Sequence, residues 1–368
     1  VIMVPHQHVI TKFFLVVASL LTVNVAIALA PPPPDLMVAN HRDHNSKVST
    51  NGLSRLLTQR AVQQVMFYQG VQNDEVMARW LGEFMQKEPE SCLSPDFHGV
   101  DALPLPSSAA YICGLLSLPI TLLSVRRPAL RPPGGSRNNP YTKDAAFDEI
   151  AVEVSGQFLA ESIMKMRTTV AQEWLQDLKI FVSEDDALRK RHAVAIQAGV
   201  AGSKANDDAK KMNEANSHPA FEVGRLSSGG GRSSPFRKAS YDLLKLLATR
   251  TAMDCVLAEN SKLLSNKSSR QWLLRFWGGR RDGFHGHSTW TQGGGEPGAS
   301  DSLLLALFNA VPSIVTSTSG EAVLVDPNEL ADTLLTARTD ITKEWAEALE
   351  LVEDEHLCWQ QWKMKLIN

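Results

Sequence analysis

The stretch that decides the fold is RTTVAQEWLQDL, Arg167 to Leu178, because the chain writes it again as RTDITKEWAEAL, Arg338 to Leu349. The offset is 171 positions (338 minus 167), and agreement extends upstream at that spacing. Ala151-Val152 meets Ala322-Val323, Val154 meets Val325, and Leu159-Ala160 meets Leu330-Ala331. Inside the phrase Arg167-Thr168, Glu173-Trp174 and Leu178 recur as Arg338-Thr339, Glu344-Trp345 and Leu349. Ser155 faces Asp326, and both residue types cap helix N-termini by accepting from the first free N–H groups. Pro327 at the first helical position and Glu329 three residues after Asp326 strengthen the second start.

Downstream of each start the apolar residues step by threes and fours. The first stripe is Leu159, Ile163, Met166, Val170, Trp174, Leu178 and Phe181. The second is Leu330, Leu334, Ala337, Ile341, Trp345, Leu349 and Val352. That period places one face of a helix against a core. Each copy therefore ends in a long amphipathic helix, with its tryptophan on the packed side.

Earlier blocks echo each other in the same order. LSRLLTQRA (Leu53 to Ala61) matches LLKLLATRT (Leu243 to Thr251), and WLGEF (Trp80 to Phe84) matches WLLRF (Trp272 to Phe276). Phe97-His98-Gly99 matches Phe284-His285-Gly286, and YICGLLSLP (Tyr111 to Pro119) roughly matches LLALFNAVP (Leu304 to Pro312). Copy one carries an extra Pro/Arg-rich insert, Arg126 to Pro140. Shared order over five blocks points to a tandem duplication. Strand signals are few, EAVLV before Asp326 being the clearest. The expected fold is all-α: two tandem, internally duplicated helical bundles joined by a flexible linker. Repeat 1 spans 51–186, the linker 187–238, and repeat 2 with a C-terminal helix extension 239–368. The linker opens on ALRKRH and passes into GSKANDDAKK and SSGGGRSSP, a composition unable to bury a core.

Charge and cysteine content remove several classes. A formal charge of -3 with no basic face argues against nucleic-acid binding. Four cysteines without a CxxC pair argue against a structural zinc site or a disulfide scaffold.

The N-terminal segment reads as an address. Lys12 precedes an apolar run from Phe13 to Ala28, small residues Ala26, Ala28 and Ala30 follow, and Pro31 to Pro34 end any helix. Residues 1–30 are expected to be a signal sequence and 31–50 a transit peptide or disordered segment. AIALAP (Ala26 to Pro31) resembles the Ala-aromatic-Ala-Pro junction of bipartite presequences in algae with secondary red plastids, with Leu29 in the aromatic position. The resemblance covers the presequence alone and implies plastid import. Secretion, an endomembrane lumen, or a signal anchor are the alternatives.

No phosphate loop, HExxH, GxSxG or kinase set occurs, and GGGEPG (Gly293 to Gly298) follows no strand. Two constellations remain. His98 and His285 sit in matched FHG loops, where a histidine serves as general base or as axial ligand to a tetrapyrrole or metal. A plain turn accounts for them more simply: Phe fills the core, His bonds a carbonyl, and Gly takes positive φ. Arg60 with Glu173, and Arg250 with Glu344, form matched acid–base pairs expected to be inter-helix ion pairs. The tail HLCWQQWKMKLIN, with Trp359 and Trp362, either packs back on the bundle or docks a partner or membrane.

The functional expectation is a non-catalytic scaffold, assembly or partner-binding protein of a plastid, with a protein partner and no catalytic residue assigned. The alternative is a tetrapyrrole- or metal-binding protein, or an enzyme, that uses the FHG loops. A fluorescent protein fused behind residues 1–60 is expected to reach the plastid; retention in the cytosol would refute the presequence reading.

Overall fold

The computed structural model describes residues 44–72, 74–84, 93, 99–101, 103–128, 147–200, 236–259, 261, 263–264, 266–280, 299–316 and 322–367. The chain is mostly helical, as the periodicity requires, with two short β-hairpins added. The first half contains α1 (His44–Val71), α2 (Glu75–Glu83), α3 (Ser108–Leu116), the pair β1 (Thr121–Pro128) and β2 (Phe147–Val154), and α4 (Gly156–Val200). The second contains α5 (Arg237–Leu257), α6 (Lys267–Gly278), α7 (Ala299–Phe308), β3 (Ser313–Thr316), β4 (Ala322–Val325), α8 (Pro327–Glu350) and α9 (Val352–Ile367). The element order of the first half thus recurs in the second, with α9 following.

Helix starts lie where the caps place them. Asp74 accepts from the Met77 amide at 3.2 Å, Ser107 from Ala110 at 3.1 Å, and Asp326 from Asn328 at 2.9 Å. Ser155 Oγ accepts from Phe158 at 3.3 Å. Both long-helix stripes are buried; Trp174 and Trp345 have no exposure, and of the fourteen positions only Met166 is partly exposed.

The mostly helical content agrees with the all-α expectation, and two short hairpins are added to it. β1 and β2 pair antiparallel from Thr121–Val154 out to Pro128–Phe147, and β3 and β4 from Ser313–Val325 to Thr316–Ala322. The alternation of Ile150, Val152 and Val154, β-branched throughout, suits a half-buried pleated surface. In both hairpins the last residue before the helix cap is a fully buried valine, Val154 or Val325. The insert from Arg126 therefore begins inside a strand.

Nor do the halves fold as separate bundles. The largest apolar cluster joins Leu53, Leu56, Leu57, Trp174, Leu178 and Phe181 of the first half to the α5, α7 and α8 faces of the second. A smaller cluster, built on α1, α2, α3 and the start of α4, is completed by Trp359 of α9. The long helix continues into the first part of the expected linker, as α4 runs unbroken for 45 residues to Val200. At 1.5 Å per residue that is a rod of about 65–70 Å, long enough to serve both halves. Among the described residues no helix is long and apolar enough to cross a membrane.

Gly156, the first residue of α4, marks a close approach. A Cβ there would overlap the Leu115 carbonyl oxygen and stand 2.9 Å from Leu118 Cβ. Gly156→Ala is expected to lower unfolding free energy by about 1–3 kcal/mol through overpacking, measured by urea denaturation. An unchanged midpoint would mean that the α3–α4 corner yields freely.

Candidate functional site

The polar centre of the molecule is made by arginines that water does not reach. Arg60, Arg167 and Arg338 all have no exposure, and a buried guanidinium must be met by acceptors or π faces because its desolvation is expensive. Two of them open the repeated phrase.

Arg167, on α4, is met by α9. Its Nη2 donates to Glu355 Oε2 at 3.0 Å and to Ser54 Oγ of α1 at 3.2 Å. Its Nη1 donates to His356 Nε2 at 2.9 Å, and its guanidinium lies 4.6 Å from the Trp359 ring centroid. Arginine has no acceptor lone pair, so the His356 ring must be neutral with its proton on Nδ1. Burial, reinforced by the neighbouring guanidinium, pulls His356 down to about 3.

Arg338, on α8, is met by the far part of α4. Its Nη2 stands 3.0 Å from Asp185 Oδ1, an ion-pair separation without hydrogen-bond alignment, and its guanidinium lies 4.5 Å from the Phe181 ring. Next to it Lys245 of α5 donates to Glu184 Oε2 at 3.0 Å and to Asp301 Oδ2 of α7 at 2.5 Å. Burial lowers the Lys245 affinity for its proton, but Asp301 and Glu184 outweigh it and the net shift is upward. Burial pushes Asp185 up to about 6 despite Arg338, and Asp242 likewise up to about 6 despite Lys245.

The two arrangements are related by exchange of the halves. At the 171 offset Asp185 corresponds to His356, Glu184 to Glu355, and Arg338 to Arg167. The relation reaches about two helix turns further along α4 and α9, seven residues past Asp185 and His356. His192 meets Asn328 at 2.8 Å, and the equivalent residues, Lys363 and Gln157, meet at 2.5 Å. Each half supplies a guanidinium, and the other half's long helix, or the helix following it, supplies the group that meets it. Other polar links cross the same boundary. Arg237 of α5 holds Asp177 of α4 through Nη2 at 2.7 Å and Nε at 3.1 Å, and Arg189 of α4 reaches Asp332 of α8 at 2.9 Å.

The residues singled out from sequence fare differently. Arg60 does not use Glu173: its Nε donates to Ser240 Oγ of α5 at 3.1 Å and its Nη1 to Gln63 Oε1 at 2.7 Å. Its guanidinium lies 5.2 Å from the Phe236 ring, Nη2 has no acceptor among the described residues, and burial pulls the group down to about 10. It is a link between halves rather than an ion pair within one. Arg250 and Glu344 are both half-buried, and no ion pair joins them among the described residues. His98 and His285 lie outside the described residues. Gly99, next to His98, is described: its buried carbonyl accepts from Gln59 Nε2 at 2.7 Å, which pins that loop to α1. No group of three His, Cys, Asp or Glu side chains among the described residues is placed to hold a metal. The tail turns inward through Trp359, while Leu357 and Met364 face solvent.

The signal that finds these contacts was present in the sequence. Carrying the 171 offset past Val352 pairs Glu184-Asp185 with Glu355-His356, charged residues at matched places beyond the apolar stripe. Comparison with protein families, with curated proteins and with solved structures finds no match to this chain.

Asp185→Ala leaves Arg338 buried without its carboxylate and is expected to cost about 3–5 kcal/mol. Asp185→Leu combined with Arg338→Met removes both charges and is expected to recover most of that loss. Denaturation of the two variants at pH 7.5 decides; equal losses would assign Arg338 no electrostatic role.

Proposed function

We propose that this chain is a non-catalytic helical scaffold that binds a protein partner, built by tandem duplication of one helical unit and delivered to a plastid by its N-terminal segment. The observation that carries the binding role is a set of apolar side chains turned to solvent on the hairpins. Ile314 and Leu324 are cross-strand partners on the outer face of β3–β4, exposed by 72% and 65%, with Val311 beside them at 80%. The β1–β2 hairpin repeats the feature with Leu122 at 65% and Ile120 at 66%. Exposed apolar clusters rimmed by polar residues mark interaction surfaces more often than chance placement does. The hairpins project from long helices whose own polar groups are engaged in holding the halves together, an arrangement suited to presenting a rigid surface.

Support for duplication comes from the conserved element order, the equivalent hairpin registers and the exchange-related contacts around Arg167 and Arg338. Delivery to a plastid rests on the presequence resemblance, which is carried by Ala26 to Pro31.

The test is cross-linking of the mature chain in its source cells, followed by peptide mass spectrometry. Cross-links from hairpin-flanking residues to one recurrent protein are expected, and Ile314→Asp with Leu324→Lys is expected to abolish them without moving the melting temperature. The same purified material is expected to be colourless and metal-free. A stoichiometric Soret-type band or metal, lost in His98→Ala with His285→Ala, would replace the scaffold with a cofactor protein acting through the FHG loops.

A further inference from the structure

The matched contacts around Arg167 and Arg338 differ in one respect that has a functional consequence. Where α4 offers a carboxylate, Asp185, the equivalent position of α9 offers an imidazole, His356. A carboxylate meets a guanidinium best when ionised, whereas an imidazole meets it only while it lacks its second proton.

We propose that α9 is an acid-released latch, fastened to the first half by neutral His356 and freed when that ring takes a proton from solvent. Protonation removes the Nε2 lone pair that Arg167 Nη1 donates to at 2.9 Å and sets two cations in contact inside a buried site. The groups around the ring offer no compensation. Helices α3, α4 and α8 pack on α9. α4 presents Arg167, and α1 adds the neutral Ser54 hydroxyl through Arg167. α3 carries the Tyr111 hydroxyl and the Cys113 thiol, both held neutral by burial. The end of α8 next to α9 carries Glu347 and Glu350, both exposed. Glu355 on α9 itself is engaged with the same guanidinium at 3.0 Å. Among the described residues Arg167 is the one charge that acts on the ring, and it acts against protonation.

The sign follows from linkage. Docked His356 holds its proton only near about 3, while a freed imidazole titrates at its ordinary 6.5. Between those values the undocked state binds more protons, so acid favours release and the contribution of His356 to docking is fully present only above about 6.5. From pH 7 to pH 5 the undocked fraction is expected to rise about 25-fold. The Arg338 contact has the opposite sense, since Asp185, raised to about 6, binds protons more readily in the folded state. Release is therefore confined to α9, which withdraws Trp359 from the smaller core and opens Arg167 to solvent.

The experiment is hydrogen–deuterium exchange of the full chain at pH 7 and pH 5, corrected for the intrinsic pH dependence of amide exchange. Peptides from Val352 to Lys365 are expected to lose about 25-fold in protection, while those from Pro327 to Glu350 keep theirs. His356→Gln, whose Oε1 accepts from Arg167 but does not titrate in this range, is expected to hold α9 protected at both values. Unchanged α9 protection in the wild-type chain at pH 5 overturns the proposal, whatever the variant does. So does an acid response of equal size in His356→Gln. Glu355→Gln, which weakens docking without altering the titrating ring, is expected to lower α9 protection at pH 7 and preserve the acid response; loss of that response would assign it to Glu355 instead.

Discussion

Everything in this fold answers to the burial of guanidinium groups. Arg60, Arg167 and Arg338 have no exposure, and a cation in that position is tolerated only where acceptors or aromatic faces arrive with good geometry. None of the three relies on its own half alone. Arg60 takes Ser240, Arg167 takes Glu355, His356 and Trp359, and Arg338 takes Asp185 and Phe181. The halves must dock in one relative placement for any of these to be met. Apolar burial supplies most of the driving force, being proportional to area and indifferent to direction. The arginines supply the direction.

The exchange relation between the contacts also explains the division of the core. The larger apolar cluster draws from both halves, and the smaller is closed by a residue from the end of the chain, Trp359. A half cut free would keep its stripes yet lose the groups that neutralise its buried arginine.

How far the sequence spoke depended on how local each signal was. Caps at Ser155 and Asp326 and the stripes through Trp174 and Trp345 rest on neighbours within a few residues, and the structure places them as read. Of the four strands only β4 stands out in the sequence, as EAVLV, whereas β1 carries Arg126, Arg127 and Pro128, which read as loop. Pairing across a gap of eighteen residues leaves no periodic trace. Arg167 and Arg338 were visible as identities but were taken as part of a helix signature, since an arginine beside an apolar stripe is ordinarily solvated. Their burial depends on groups 153 and 188 positions distant, Asp185 for Arg338 (338 minus 185) and Glu355 for Arg167 (355 minus 167). Arg60 likewise takes a partner that no local signal marks, Ser240, 180 positions away.

The spacing from Arg167 to Asp185 is 18 residues (185 minus 167), and so is that from Arg338 to His356 (356 minus 338). Eighteen residues are five full turns of an α-helix, so Arg167 and Asp185 share a phase on α4, whereas in the second half the same count crosses the joint at Leu351 between α8 and α9. A single inserted or deleted residue between them would swing one against the other by about 100°. Residue identity there is free to drift, as the exchange of Asp185 for His356 illustrates, but the count is not. α4 thus acts as a ruler with angular as well as linear marks.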